Sequence, residues 1–162
     1  MRLMTVPKTK KISHKPRLGP RSLDLALLFD KFIQYWAGKA EVEFVDQALD
    51  RPLDEILEVC VSWKGSVTGT LVIRCYSEFL KWLAANRGPN SPHELNDNQS
   101  FKEMGSLYCV YLIQNYWLSS IFELGLVLPH FSTVQDWPQG PSNSTCRLRV
   151  EKNPVEIRLW ID

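Results

Sequence analysis

Residues 146–161 read CRLRVEKNPVEIRLWI, and apolar residues occupy every second position from Cys146 to Val150 and again from Val155 to Ile161. Apolar residues that alternate with polar ones predict half-buried β-strands. Lys152-Asn153-Pro154 lies between the two stretches and predicts a turn. We therefore expect this part of the chain to form an antiparallel hairpin.

Other segments predict further strands. Ile56–Trp63 and Val67–Tyr76 are rich in apolar and β-branched residues, and Lys64-Gly65-Ser66 between them favours a tight hairpin turn. Val42–Phe44 predicts a short strand. Leu126–Val134 is interrupted by a proline, which favours an edge or bulged strand.

Three segments have apolar residues at helical spacing. The first helix is predicted to begin at Ser22 as N-cap and to end at Gly38. The second is predicted to have Ser77 as its N-cap, and the third to run from about Asn96–Ser100 to about Leu124. Strands joined by short turns, combined with these helices, predict an α+β fold in which an antiparallel sheet carries its helices on one face.

The charge distribution divides the chain into two parts. Residues 1–22 contain seven basic residues, no acidic residue and three prolines, which predicts a disordered basic tail. Residues 23–162 are predicted to form one domain, in which twelve basic residues face eighteen acidic ones. An acidic domain of this kind argues against nucleic-acid binding.

The four cysteines do not form a C-x-x-C pair, and the three histidines lie far from them in sequence, so no zinc site is expected. Cysteines in apolar patterns indicate buried thiols and a reducing, cytoplasmic location. Residues 104–122 carry no charge, but Gln114 and Asn115 lie at the middle of this run. We therefore predict a helix covered by protein and no membrane span.

Residues 97–106 read DNQSFKEMGS and open the third predicted helix. They resemble a helix motif of the CheC, CheX and FliY chemotaxis phosphatases. That motif has Asp or Ser, three residues, Glu, two residues, Asn, about twenty-two residues and Pro. Glu103 and Pro129 match the Glu and Pro positions, whereas Ser106 stands at the Asn position and Gln99 at the Asp or Ser position. One such helix is visible, so the resemblance is to the single-site CheX domains.

The resemblance implies a protein that removes the aspartyl phosphate of a CheY-type receiver. In that family a helix enters the receiver, its glutamate pairs with a receiver lysine, and its asparagine orients the attacking water. The receiver holds the Mg²⁺, so this chain would bind no cofactor of its own. Glu103 fits the first role; Ser106, or Gln99 one turn earlier, would take the second. The resemblance also implies a homodimer formed through the sheets, with Val155–Ile161 as a candidate edge strand.

Each of these residues also has a structural interpretation. Ser100 and Glu103 fit a capping box, and Gln99 fits a second one with Asn96. Ser106 beside a glycine fits close packing, and His130 is expected to be structural because the sequence ties no acid to it. The alternative function is accordingly a non-catalytic module that binds a receiver or another protein through the surface around Glu103.

Overall fold

The computed structural model describes residues 19–87, 96–117, 121–132 and 137–162, without the side chain of residue 127. These residues form three α-helices, one 3-10 helix at Leu53–Glu55 and six β-strands. The α-helices are α1 (Ser22–Ala37), α2 (Ser77–Ala85) and α3 (Asp97–Tyr116). The strands are β1 (Val42–Phe44), β2 (Ile56–Gly65), β3 (Gly69–Tyr76), β4 (Phe122–Phe131), β5 (Ser144–Val150) and β6 (Asn153–Ile161).

The six strands form one antiparallel sheet in the order β1-β5-β6-β3-β2-β4. Both predicted hairpins, β2–β3 and β5–β6, are confirmed, but the turn expected at Lys64-Gly65-Ser66 is wrong. Lys64 and Gly65 belong to β2, and residues 66–68 connect β2 to β3. The second turn consists of Glu151 and Lys152, whose φ angles are 49° and 71°, and the Asn153 and Pro154 expected in it belong to β6. The strand expected at an exposed edge, Val155–Ile161, was wrongly placed, because β6 pairs with β5 on one side and β3 on the other.

All three helices pack on the same face of the sheet, as predicted. The inward side chains of the strands and the apolar faces of the helices form one continuous core. The fully buried members of this core include Phe29 and Ile33 of α1, Phe79 of α2, Met104 and Tyr108 of α3, and Val59, Ile73, Leu148, Ile157 and Leu159 of the sheet. The predicted α+β architecture with helices on one face is therefore confirmed.

Two predicted helix starts are one residue late. Ser22 and Ser77 are the first residues of their helices, and the caps are Arg21 and Tyr76. At α1 the backbone N–H of Arg21 donates to the Asp24 carboxylate at 3.0 Å. Residues 19 and 20, which belong to the predicted tail, are buried, and residues 1–18 lie outside the described part of the chain.

The predicted end of the third helix near Leu124 is wrong. Helix α3 ends at Tyr116, and Leu124 lies in β4, paired with Trp63 of β2. An apolar run fits a buried helix and a strand equally well, and here pairing with β2 satisfies the backbone. The expected edge strand is confirmed, since Pro129 lies in β4 at one edge of the sheet, but the strand begins at Phe122 instead of Leu126. Within the part of the chain that the structure describes, no helix is long and apolar enough to cross a membrane.

Helix α3 lies very close to the sheet at Gly105. A Cβ atom added to Gly105 would lie 2.9 Å from Cγ1 of Val59, which is shorter than a normal carbon–carbon contact. Val59 is fully buried in β2, which pairs with β3 and β4. Glycine is therefore required at this position by the close approach of α3 to β2.

We predict that Gly105→Ala lowers the free energy of unfolding by about 1 kcal/mol. Alanine favours a helix over glycine by ~1 kcal/mol, but forcing a methyl group against Val59 costs ~1–3 kcal/mol. Urea unfolding of both proteins measures the difference. In a Val59→Ala background the clash is removed, so the same substitution should stabilise the protein. An effect of the same sign in both backgrounds would contradict the packing argument.

Candidate functional site

The first turn of α3 is fixed by Asn96 and Gln99. The side chain of Asn96 accepts the Gln99 N–H at 2.8 Å, and the Gln99 side-chain oxygen accepts the Asn96 N–H at 3.2 Å. This is the capping box that the sequence offered for this pair. The alternative box with Ser100 does not form, because Ser100 is fully buried inside the helix. Glu103 is therefore not used as a helix cap.

Glu103 is the seventh residue of α3, nearly two turns from its start, and is half-buried. Its carboxylate makes no ion pair or hydrogen bond with any described residue. A carboxylate held at a helix surface without a protein partner is available to a cation of another molecule. Burial of Glu103 would have excluded both functional hypotheses, and the structure places it at the surface instead.

Glu103 lines a groove between α1 and α3. The groove has a volume of about 560 Å³ and is partly open to solvent. Its walls are Lys31, Phe32, Tyr35 and Trp36 from α1 and Glu103, Leu107, Val110, Tyr111 and Gln114 from α3. The site is thus a largely apolar cleft with one acid and one base among its lining residues.

Ser106 and Gln99 flank Glu103 on α3 but do not line this groove. At 100° per residue, Ser106 lies about 60° around the helix from Glu103, on the side away from Leu107. Ser106 is half-buried and Gln99 is exposed. The three predicted site residues therefore share one helix surface, but the carboxamide oxygen of Gln99 is already engaged at the helix start.

The opposite face of the sheet carries a buried charge network that the sequence did not reveal. The side chain of Glu156 is only 2% exposed and accepts hydrogen bonds from Arg74 at 3.0 Å, Arg158 at 3.0 Å and Arg147 at 3.1 Å. Burial raises the pKa of Glu156, but the three guanidinium groups lower it by more, so the net pKa lies below its ordinary value.

Glu58 is the second acid of this network. It accepts hydrogen bonds from His130 at 3.1 Å, Ser132 at 3.2 Å and the Trp137 indole at 3.2 Å. The guanidinium groups of Arg74 and Arg158 both lie over the Trp137 ring, 5.0 Å from its centroid. His130 thus has an acidic partner, which the sequence did not indicate, and it holds β4 to β2.

The structure gives no sign of another reactive centre in the described residues. They contain no group of three His, Cys, Asp or Glu side chains that could hold a metal ion. All four cysteines are free and buried, as the sequence predicted for Cys60, Cys109 and Cys146. Burial raises the pKa of Cys109 and Cys146 to about 12, so both thiols stay protonated near neutral pH.

No family model and no curated protein matches the sequence. Solved structures do match. A CheX–CheY complex with BeF3 and magnesium from Borrelia burgdorferi aligns at a TM-score of 0.56 and 12% identity, over 86% of this chain and 97% of that chain. CheX from Vibrio vulnificus aligns at 0.59 and 12%, over 85% and 93%. CheX from Desulfovibrio desulfuricans aligns at 0.56 and 8%, over 85% and 99%.

These likenesses cover almost the full length of the matched chains. The described chain has the fold of the CheX and CheC-like chemotaxis proteins, which confirms the resemblance drawn from the sequence at the level of the fold.

We predict that Glu156→Gln lowers the free energy of unfolding by about 3 kcal/mol at pH 7, because it leaves three guanidinium groups without their buried anion. Folding lowers the pKa of Glu156 from its ordinary value of 4.5. The carboxylate therefore stabilises the folded protein in full above about pH 4.5, and this stabilisation is lost as the pH falls through the lowered pKa. Urea unfolding between pH 7 and pH 2 should show the two proteins converging at low pH.

The matched control is Glu78→Gln, which removes an exposed ion pair with Arg51. Exposed pairs contribute little, so this variant should differ from the parent by less than about 1 kcal/mol. A Glu156 variant as stable as the control at neutral pH would show that the network contributes nothing to stability.

Proposed function

We propose that this protein binds a CheY-type receiver and accelerates hydrolysis of its aspartyl phosphate, in chemotaxis or a related two-component pathway. The observation that carries the proposal is the Glu103 carboxylate, which lies half-buried beside a groove and has no charged partner among the described residues. The CheX fold supports it, because one neighbour of that fold was crystallised with CheY. In this proposal the receiver holds the Mg²⁺, and this chain binds no cofactor.

In the proposed reaction α3 contributes position and charge. Glu103 pairs with a cation of the receiver, and the hydroxyl of Ser106, three residues later, holds a water molecule. The water attacks phosphorus, the bond between phosphorus and the aspartate oxygen breaks, and inorganic phosphate and a free carboxylate result. Ser106 offers one donor where an amide offers two, so we expect a slower enzyme than one with asparagine at this position.

A second candidate function is receiver binding without hydrolysis. The capping box at the start of α3 favours it, because the carboxamide oxygen of Gln99, one turn before Glu103, accepts the Asn96 N–H and holds that side chain at the helix start. In this case Glu103 and the groove hold the receiver, and the carboxamide of Gln99 stays at the start of the helix and orients no water. The two functions differ in the fate of the phosphate and share the same docking surface.

We also propose a homodimer, now through β4. This strand forms one edge of the sheet, and Leu128 and Phe131 on it are 63% and 60% exposed. An exposed edge with apolar side chains favours pairing with another strand, although Pro129 removes one backbone donor. A mass measurement by light scattering in solution should give twice the monomer mass.

The direct test is the decay of a phosphorylated receiver from the same cell, with Mg²⁺, in the presence and absence of this protein. We expect faster decay, and we expect Glu103→Ala to reduce the acceleration by about 10-fold or more, because truncating one member of a desolvated charge pair costs ~2 kcal/mol or more. Gln99→Ala should weaken the start of the helix and leave the acceleration nearly unchanged.

The matched control is Glu78→Ala on α2, an exposed glutamate outside the groove. It should behave like the parent. Unchanged decay combined with phosphorylation-dependent binding would establish the second candidate. A receiver that neither binds nor decays faster would exclude both functions.

A further inference from the structure

The groove beside Glu103 has the length of a short helix. Its α3 wall runs from Glu103 to Gln114, twelve residues whose eleven steps extend about 16 Å at 1.5 Å per residue. Two apolar side chains on its walls are exposed, Tyr35 by 60% and Leu107 by 42%. Exposed apolar residues that line one cleft are typical of binding sites for another chain.

The shape of the groove excludes one simple occupant. A second copy related by a two-fold axis through the groove would present the same concave surface, and two facing clefts leave a gap instead of a packed interface. The occupant must be convex. A helix of about three turns fits because its ridge of side chains can enter the space between two neighbouring helices.

The charges of the groove specify the polar residues of that helix. Lys31 lies on the α1 wall and Glu103 on the α3 wall, and neither forms an ion pair with a described residue. A complementary helix therefore carries an acidic residue toward Lys31 and a basic residue toward Glu103. Its apolar stripe covers Tyr35, Leu107 and Val110, and opposite charges on the two walls fix its direction.

We propose that the α1–α3 groove binds an amphipathic surface helix of the receiver, and that Lys31 and Tyr35 of α1 decide which receiver is accepted. This inference rests on the proposed function, and it assigns a role in recognition to α1. Glu103 contributes to recognition and to the proposed hydrolysis, since it lines the groove and lies only about 60° around α3 from Ser106.

The test is a calorimetric titration with a CheY-type receiver from the same cell, activated with beryllofluoride and Mg²⁺. We expect the Kd to rise about 10-fold or more in the double variant Tyr35→Ser/Leu107→Ser. Lys31→Glu should weaken binding more than Lys31→Ala, because it adds repulsion to the loss of attraction. The matched control is Leu23→Ser, which changes a 52% exposed leucine of α1 outside the groove and should bind like the parent.

Several outcomes would overturn the inference, and they are separable from failure of the proposed function. If Glu103→Ala weakens binding while the groove variants bind like the parent, the receiver contacts α3 without occupying the groove. If the groove variants bind more tightly than the parent, another segment of this chain competes for the groove. If groove variants change the mass in solution, the occupant is a second copy. If the parent protein binds no receiver, the proposed function fails together with this inference.

Discussion

The contact between Gly105 of α3 and Val59 of β2 is the constraint on which the placement of the site depends. Because the helix backbone lies directly on the sheet here, one side of α3 is committed to the core, including Met104 and Tyr108. The Tyr108 hydroxyl donates to the Leu25 carbonyl at 2.9 Å and so ties α3 to α1. The remaining side of α3, with Glu103, is left to form the groove with α1.

The face of the sheet opposite the helices holds the buried charge network. Glu156 and Glu58 are buried on the face opposite the three described helices, and Trp137 covers part of that face. Because these charges satisfy one another, the network is best understood as structural, and the proposed chemistry lies on the helix side. Glu58 and Glu156 have hydrogen-bonding partners inside the network and are structural. Glu103 has no charged partner among the described residues and is the acid proposed to bind the receiver.

The hairpins and the single-sided packing were predictable because period-two alternation is a local property of the sequence, as in Cys146–Val150. The order of the strands was not, since the central position of β6 depends on pairing with β3 far away in the chain. The network was missed because outward polar residues of strands are usually solvated. The sequence does not predict the groove, because its walls come from α1 and α3, about seventy residues apart, whereas Glu103 is a candidate on its spacing to Pro129 alone.

Hydrogen exchange of this protein with and without an activated receiver shows directly whether the groove is the docking surface. We predict slower exchange in the peptides that cover residues 31–36 and 103–114, which form the groove, and unchanged exchange in β5 and β6. Protection confined to β5, β6 or the segment at Trp137 would contradict this prediction, because the receiver would then bind the sheet face and Glu103 would have no role in docking.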